Sequence, residues 1–232
     1  MKQHVQLPNN MTSELSPKDL LIYVSIKRYM NNETREAFPS LETIAKHASS
    51  TKPTVRKCID KLVDLEYITI RKVGRKNVYK FSNSKNFEPF SYEFLDKEDL
   101  SANEKAYLIA SQQYMYKDID NYGKMTYSDN KLSEIINMSR HSIKKYDQSL
   151  LEKGYLSIVT TDKKDMSSGL MINEKVFHLD ELGQAIVFTL KNHEDRITDT
   201  EENIEDLKSK IKVMQHQIDL FIKKNESTDL NL

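Results

Sequence analysis

A single cysteine, Cys58, in 232 residues leaves no intramolecular disulfide and no cysteine-based zinc site. Glycine is nearly as scarce: five residues, at 74, 123, 154, 169 and 183, are too few and too scattered for a phosphate-cradling loop or a dinucleotide fingerprint. That removes ATPase and helicase chemistry. The histidines His4, His47, His141, His178, His193 and His216 show no pair at metal-ligand spacing. No run approaches the roughly 18 consecutive apolar residues of a membrane helix, and residues 1–10 hold no leader-like apolar stretch. The acidic groups Asp118/Asp120 and Glu201-Glu202 read as solvated surface. The expectation is a cytoplasmic protein without membrane contact, catalytic site, metal or cofactor.

Net charge is also absent, with 35 Lys/Arg against 35 Asp/Glu, but the balance conceals a polarity. Residues 1–90 hold 16 basic against 9 acidic side chains, 91–180 hold 12 against 15, and 181–232 hold 7 against 11. A basic first third on an otherwise acidic chain implies a localised face for a polyanion.

What the chain does have is an internal repeat. At an offset of 88, Ile44-Ala45-Lys46 falls on Leu132-Ser133-Glu134, Val55 on Ile143, Leu62 on Leu150, and Tyr67-Ile68 on Tyr155-Leu156. Upstream, Leu15-Ser16-Pro17 falls on Leu100-Ser101-Ala102 at an offset of 85, so the second copy carries three extra loop residues. Two copies imply two tandem domains of one type.

Each copy reads as three helices and a hairpin. In the first, Ser16 caps a helix that has Pro17 at its first position and Asp19 in its first turn. Ser40 opens a short helix with Leu41, Ile44 and Ala45. After Ser49-Ser50-Thr51, a third helix starts at Lys52-Pro53 and buries Val55, Ile59, Leu62 and, by its spacing, Val63. The β-rich runs 67–71 and 77–81 flank Val73-Gly74-Arg75-Lys76, a hairpin with glycine in its turn. In the second copy Ser101, Ser128 and Ser139 are the caps, with Ile143, Tyr146, Leu150 and Leu151 facing inward on the third helix. Strands 155–160 and 175–179 then flank a long polar loop, 161–170, expected to be mobile.

A short helix, a tight turn and a second helix can present the last helix to a major groove. In the first copy its outward set and flank are Ser50, Thr51, Lys52, Thr54, Arg56, Lys57 and Lys61. Guanidinium and hydroxyl groups can read base edges while lysines neutralise phosphate. The hairpin adds Arg71, Lys72, Arg75 and Lys76, suited to backbone or an adjacent minor groove. The second copy offers Arg140, His141, Ser142, Lys144 and Lys145, but its hairpin, with Asp162, Lys163, Lys164 and Asp165, is electrically neutral. The first copy is therefore expected to be the main binder and the second an auxiliary one or a protein-docking module.

The segments Phe38-Pro39-Ser40-Leu41-Glu42-Thr43-Ile44-Ala45, Ser50-Thr51-Lys52-Pro53-Thr54-Val55-Arg56-Lys57 and Leu62 through Tyr67-Ile68 resemble the winged helix-turn-helix of phage and plasmid replication proteins and related bacterial regulators. Ser139-Arg140-His141-Ser142-Ile143-Lys144 and Leu150 through Leu156 carry the likeness in the second copy. The resemblance implies the fold and DNA binding, without separating a replication protein from a regulator.

From Leu190 the apolar residues fall into heptads. Leu190, Ile197, Ile204, Ile211 and Ile218 take the a positions, and His193, Thr200, Leu207, Met214 and Phe221 the d positions. Isoleucine at a with Leu-like d residues favours a parallel two-stranded coil, and the polar His193 and Thr200 weaken its first half. Pairing is expected through Ile197, Ile204, Leu207, Ile211, Met214, Ile218 and Phe221.

The sequence thus leads to a mainly helical architecture: winged-helix domains at 12–85 and 98–181, a linker at 86–97, and a C-terminal coiled-coil helix at 182–225. The function expected is a non-enzymatic, homodimeric, sequence-specific double-stranded-DNA-binding transcription regulator. A replication initiator and a protein-interaction scaffold are the alternatives.

Overall fold

The 88-residue offset is the organising feature of the structure. The computed structural model describes residues 4–84, 86–116, 121–164, 171–184, 200 and 204–212. The first half runs β1 (His4–Pro8), α1 (Met11–Glu14), α2 (Pro17–Lys27), β2 (Glu36–Ala37), α3 (Leu41–His47), α4 (Lys52–Asp64), β3 (Ile68–Val73) and β4 (Lys76–Phe81). The second half runs β5 (Phe87–Ser91), α5 (Tyr92–Asp96), α6 (Ala102–Ser111) with a 3-10 turn over Gln112–Tyr114, β6 (Lys124–Met125), α7 (Asp129–Ile135), α8 (Arg140–Glu152), β7 (Leu156–Lys164) and β8 (Met171–Phe177). Both bounds of β2, α3 and α4 recur 88 residues later in β6, α7 and α8, and β3 and β7 start 88 apart.

Local chemistry explains why the elements repeat. Ser16 and Ser101 each close a capping box, with Asp19 and Glu104 as the returning acid. Ser40, Thr51, Ser128 and Ser139 accept an N–H three residues on, opening α3, α4, α7 and α8. The left-handed residues repeat as well: Ser49 (φ 41°) and Asn137 (φ 50°) before the last helix, Glu66 (φ 60°) and Gly154 (φ 75°) after it. Glycine adopts that conformation freely, whereas Glu66 bears a cost of about 1 kcal/mol.

The architecture is an α+β mixture and not mainly helical: among the described residues the helices are accompanied by strands in three small sheets. The sheets are β1-β5, β2-β4-β3 and β6-β8-β7. The strands that tip the balance have no readable period. β2 and β6 are two residues long, and β1 and β5 contain Pro8 and Pro89, which count against strands in sequence. The 86–97 segment is folded, since β5 and α5 stand to the second copy as β1 and α1 stand to the first. In the second hairpin the ladder runs on past Thr160 to Lys164 and resumes at Met171, with a register shift between Thr160 and Lys164. Of the polar loop expected there, 165–170 lies outside the described residues.

Both copies contribute to one continuous apolar core. Its largest fully buried side chains include Tyr23 and Tyr79 from the first copy, and Tyr107, Phe90, Phe94 and Phe177 from the second. Helix α2 packs along α6, and β1 pairs antiparallel with β5. The chain divides into two compact units, 1–189 and 190–232. In the second unit residues 204–212 are helical. Among the described residues no helix is long and apolar enough to cross a membrane, and no cluster of three His, Cys, Asp or Glu is placed to hold a metal ion.

Glu104 shows how strongly local capping is tied to tertiary contacts. Its carboxylate, on a residue only 3% exposed, accepts from the Ser101 N–H (2.6 Å), the Ser149 hydroxyl (2.6 Å) and Lys153 Nζ (2.7 Å). Burial alone would raise its pKa; the hydrogen bonds from Lys153, Ser149 and Ser101 outweigh that and hold it at about 2 against an ordinary 4.5. A depressed folded-state pKa contributes stability above the unfolded value, which is lost as pH falls from there towards the folded one. Glu104→Gln should therefore cost roughly 2 kcal/mol at neutral pH and almost nothing near pH 2. Urea unfolding across that range checks the convergence.

Candidate nucleic-acid interface

Helix α3, the turn 48–51 and helix α4 form a unit locked from behind. Ile44, Ala48, Val55, Cys58, Ile59 and Leu62 are buried, the last four on the inner face of α4. Lys18 of α2 reaches under the turn, donating to the Ala48 carbonyl at 2.6 Å and the Ser49 carbonyl at 3.2 Å. Cys58 is a core residue whose thiol is pushed up by burial. Val63, assigned above to the inner face, is 37% exposed, because it falls a step beyond the Val55-Ile59-Leu62 stripe.

With that face fixed, Thr51, Lys52, Thr54, Arg56 and Lys57 are exposed, and Ser50 and Lys61 half-buried. The cations differ in what they can offer. Lys52 Nζ is 2.9 Å from Glu42 and lowers that carboxyl's pKa through a hydrogen bond. Lys61 meets Asp19 at 3.4 Å, and Arg71 of β3 meets Glu36 at 2.9 Å. Arg56 and Lys57, with Lys72, Arg75 and Lys76 of the hairpin, form no ion pair among the described residues and are exposed. These five retain their full charge for a ligand. Thr51 and Thr54 share a hydroxyl contact of 2.9 Å, so the cap also orients Thr54 at the helix entrance.

The second copy presents the same face. Arg140, His141, Lys144 and Lys145 are exposed with no ion pair among the described residues, and Ser142 is half-buried against Ser139 at 2.9 Å. Position by position α8 echoes α4: Lys52 answers to Arg140, Thr54 to Ser142, Arg56 to Lys144 and Lys57 to Lys145. The electrostatic difference between the copies thus does not come from these two helices. The second hairpin's 165–170 and the side chains of 162–164 lie outside the described residues.

Two further exposed cations that form no ion pair among the described residues, Lys46 of α3 and Lys80 of β4, were not legible as candidates. Both are single charges in otherwise mixed stretches. Also missed was a buried polar cluster behind α8. Lys175 Nζ donates to Asp147 at 2.6 Å and Asp129 at 2.8 Å, and the Tyr107 hydroxyl donates to Asp147 at 2.7 Å. The available signal was Asp147 itself, at the position of the apolar Ile59 in the repeat.

Of the expected pairing residues, Ile204, Leu207 and Ile211 lie in the 204–212 helix and are 45%, 57% and 53% exposed. Lys208–Glu205 and Lys210–Asp206 brace its polar side. Ile197, Met214, Ile218 and Phe221 lie outside the described residues.

Two helices across a four-residue turn, the second with a cationic outer face, define a helix-turn-helix. Residues 13–68 match the family described as Helix-turn-helix domain, a span reaching from just before α2 to the first residue of β3. This supports a helix-turn-helix DNA-binding protein. A search of curated proteins finds no match.

Proposed function

We propose that the chain is a non-enzymatic, sequence-specific double-stranded-DNA-binding protein of tandem winged-helix type, acting as a dimeric transcription regulator. The observation behind this is the α4 face: Arg56 and Lys57 stand exposed and unneutralised on the second helix of a helix-turn-helix, beside a hairpin bearing Lys72, Arg75 and Lys76. The β3-β4 hairpin serves as the wing, with Gly74-Arg75 at its tip. Capturing bound fragments from a genomic library tests the reading. Sites upstream of genes support regulation, repeats clustered at one origin would make the protein a replication initiator, and no fragment retained above background removes the DNA reading.

The wing and the recognition helix should fail differently. Arg75→Ala with Lys76→Ala should weaken binding to every duplex alike and flatten the log–log salt dependence by about one unit per lost phosphate contact. If instead one base position becomes degenerate, the hairpin reads sequence.

Dimerisation is proposed through the C-terminal helix, on the exposed Ile204, Leu207 and Ile211 at a and d spacing. Charged residues at a and d disrupt such a seam, so Leu207→Glu with Ile211→Glu should halve the mass measured by sedimentation equilibrium. An unchanged dimer in that variant places the interface elsewhere.

A further inference from the structure

We infer that a single chain is an internal pseudo-dimer, which reads a bipartite DNA site whose two arms are in inverted orientation, α4 on one arm and α8 on the other. The inference rests on the DNA-binding reading and goes beyond it in assigning two readers and their symmetry to one chain.

The copies meet through their equivalent elements. An interface generated by a two-fold axis is isologous: equivalent elements face each other, and if residue i of one copy meets residue j of the other, then j of the first meets i of the second. Equivalent elements do face each other here. Helix α2 packs on its counterpart α6, and β1 pairs with its counterpart β5 in an antiparallel register centred on Gln6↔Pro89, the middle residue of each strand. Between elements the contacts are reciprocal too. At the end of α2, Arg28 forms a two-pronged pair with Asp96 of α5, at 2.8 and 3.0 Å, and its carbonyl accepts from the Tyr92 hydroxyl. Gln113, which stands 85 residues after Arg28 at the end of α6, donates to Thr12 of α1, and Tyr114 lies 3.4 Å from the same hydroxyl. The short helix of each copy thus grips the end of the long helix of the other. Tandem domains on a loose linker would have no reason to show this reciprocity.

The interface is also built to stay fixed. Both copies share the buried core, in which α2 of the first lies against α6 of the second. A fixed two-fold relation carries α4 onto α8, whose outward residues are chemically matched but not identical. Readers related by a two-fold axis address half-sites in inverted orientation. Because Arg56 becomes Lys144 and Thr54 becomes Ser142, the two arms should differ in sequence, giving an imperfect palindrome.

The test selects sites for the full chain from a random duplex pool and footprints them. Two inverted arms are expected, with one chain per duplex whether or not chains pair through their C-terminal helices. Arg56→Ala/Lys57→Ala should lose protection of one arm and Lys144→Ala/Lys145→Ala that of the other. Either variant, or five base pairs inserted between the arms, should lower affinity about 100-fold, since linkage no longer holds the second reader at high local concentration. A single-arm footprint, arms in direct orientation, wild-type affinity in Lys144→Ala/Lys145→Ala, or two chains per duplex with α4 on both arms would each overturn the pseudo-dimer while leaving DNA binding intact. Absence of any duplex binding would overturn both.

Discussion

Replacing Arg56 and Lys57 together with alanine is expected to reduce affinity for the selected duplex about 100-fold, at two contacts worth about 1–3 kcal/mol each. Stability should change by no more than about 0.5 kcal/mol, because both side chains are exposed and neither forms an ion pair among the described residues. The informative comparison is with Lys52→Ala and Lys61→Ala. Those lysines lie on the same helix but are engaged by Glu42 and Asp19, so part of their charge is already compensated. Lys61 lies further from the entrance, and its loss should cost affinity least. Filter binding at fixed ionic strength, with thermal unfolding in parallel, gives both quantities. If Lys52→Ala matches the double variant, ion pairing inside the free protein does not rank the contacts. If the double variant binds like wild type, recognition belongs to α8.

How far the sequence carried these conclusions differs from element to element. Six of the seven helices that open on a capping serine or threonine were legible because capping is local chemistry and the apolar stripe of α4 repeats with helical period. The seventh, α5 on Ser91, is only five residues long and lies in the segment expected to be a linker. The outward residues of α4 and α8 followed directly, since fixing one face of a helix fixes the other. What stayed hidden depends on partners far away in sequence. β1 and β5 are strands only because they find each other across more than 80 residues, and each contains a proline that argues locally against it. The ion pairs that distinguish Arg71 from Arg75 are equally non-local: Glu36 sits on the two-residue strand β2, brought beside β3 only through β4. The repeat itself was visible, but the packing of its halves was not, because α2 and α6 are apolar on most of their circumference and give no hint of which side meets which neighbour.

The buried cluster behind α8 should give the largest stability effects in the chain, and the first copy shows why. Lys175 is 6% exposed and Asp147 7%, with Asp129 at 27%, so a lysine and a carboxylate are almost wholly removed from water beside a second, partly exposed carboxylate. At the equivalent places the first copy has Ile59 for Asp147, Leu41 for Asp129, Ile22 for Tyr107 and, by strand register, Tyr79 for Lys175. The same fold therefore tolerates an uncharged solution. Lys175→Met leaves Asp147 and Asp129 facing each other without a cation and should cost about 3–5 kcal/mol at neutral pH. Burial already pushes the Asp147 carboxyl up, and loss of Lys175 removes the main influence holding it down. A folded-state pKa above the unfolded value favours the folded state at low pH and loses that contribution as pH rises, so the deficit of Lys175→Met should shrink as pH falls towards 5. Asp147→Leu alone leaves the Tyr107 hydroxyl without its acceptor and Lys175 with only Asp129. Asp147→Leu combined with Lys175→Met removes both buried charges and approaches the apolar arrangement of the first copy. It should recover most of the loss, giving a coupling of about 2–3 kcal/mol in a double-mutant cycle followed by urea unfolding. Additive losses in the cycle would show that the two side chains act independently, and that the resemblance between the two cores does not extend to how each is held together.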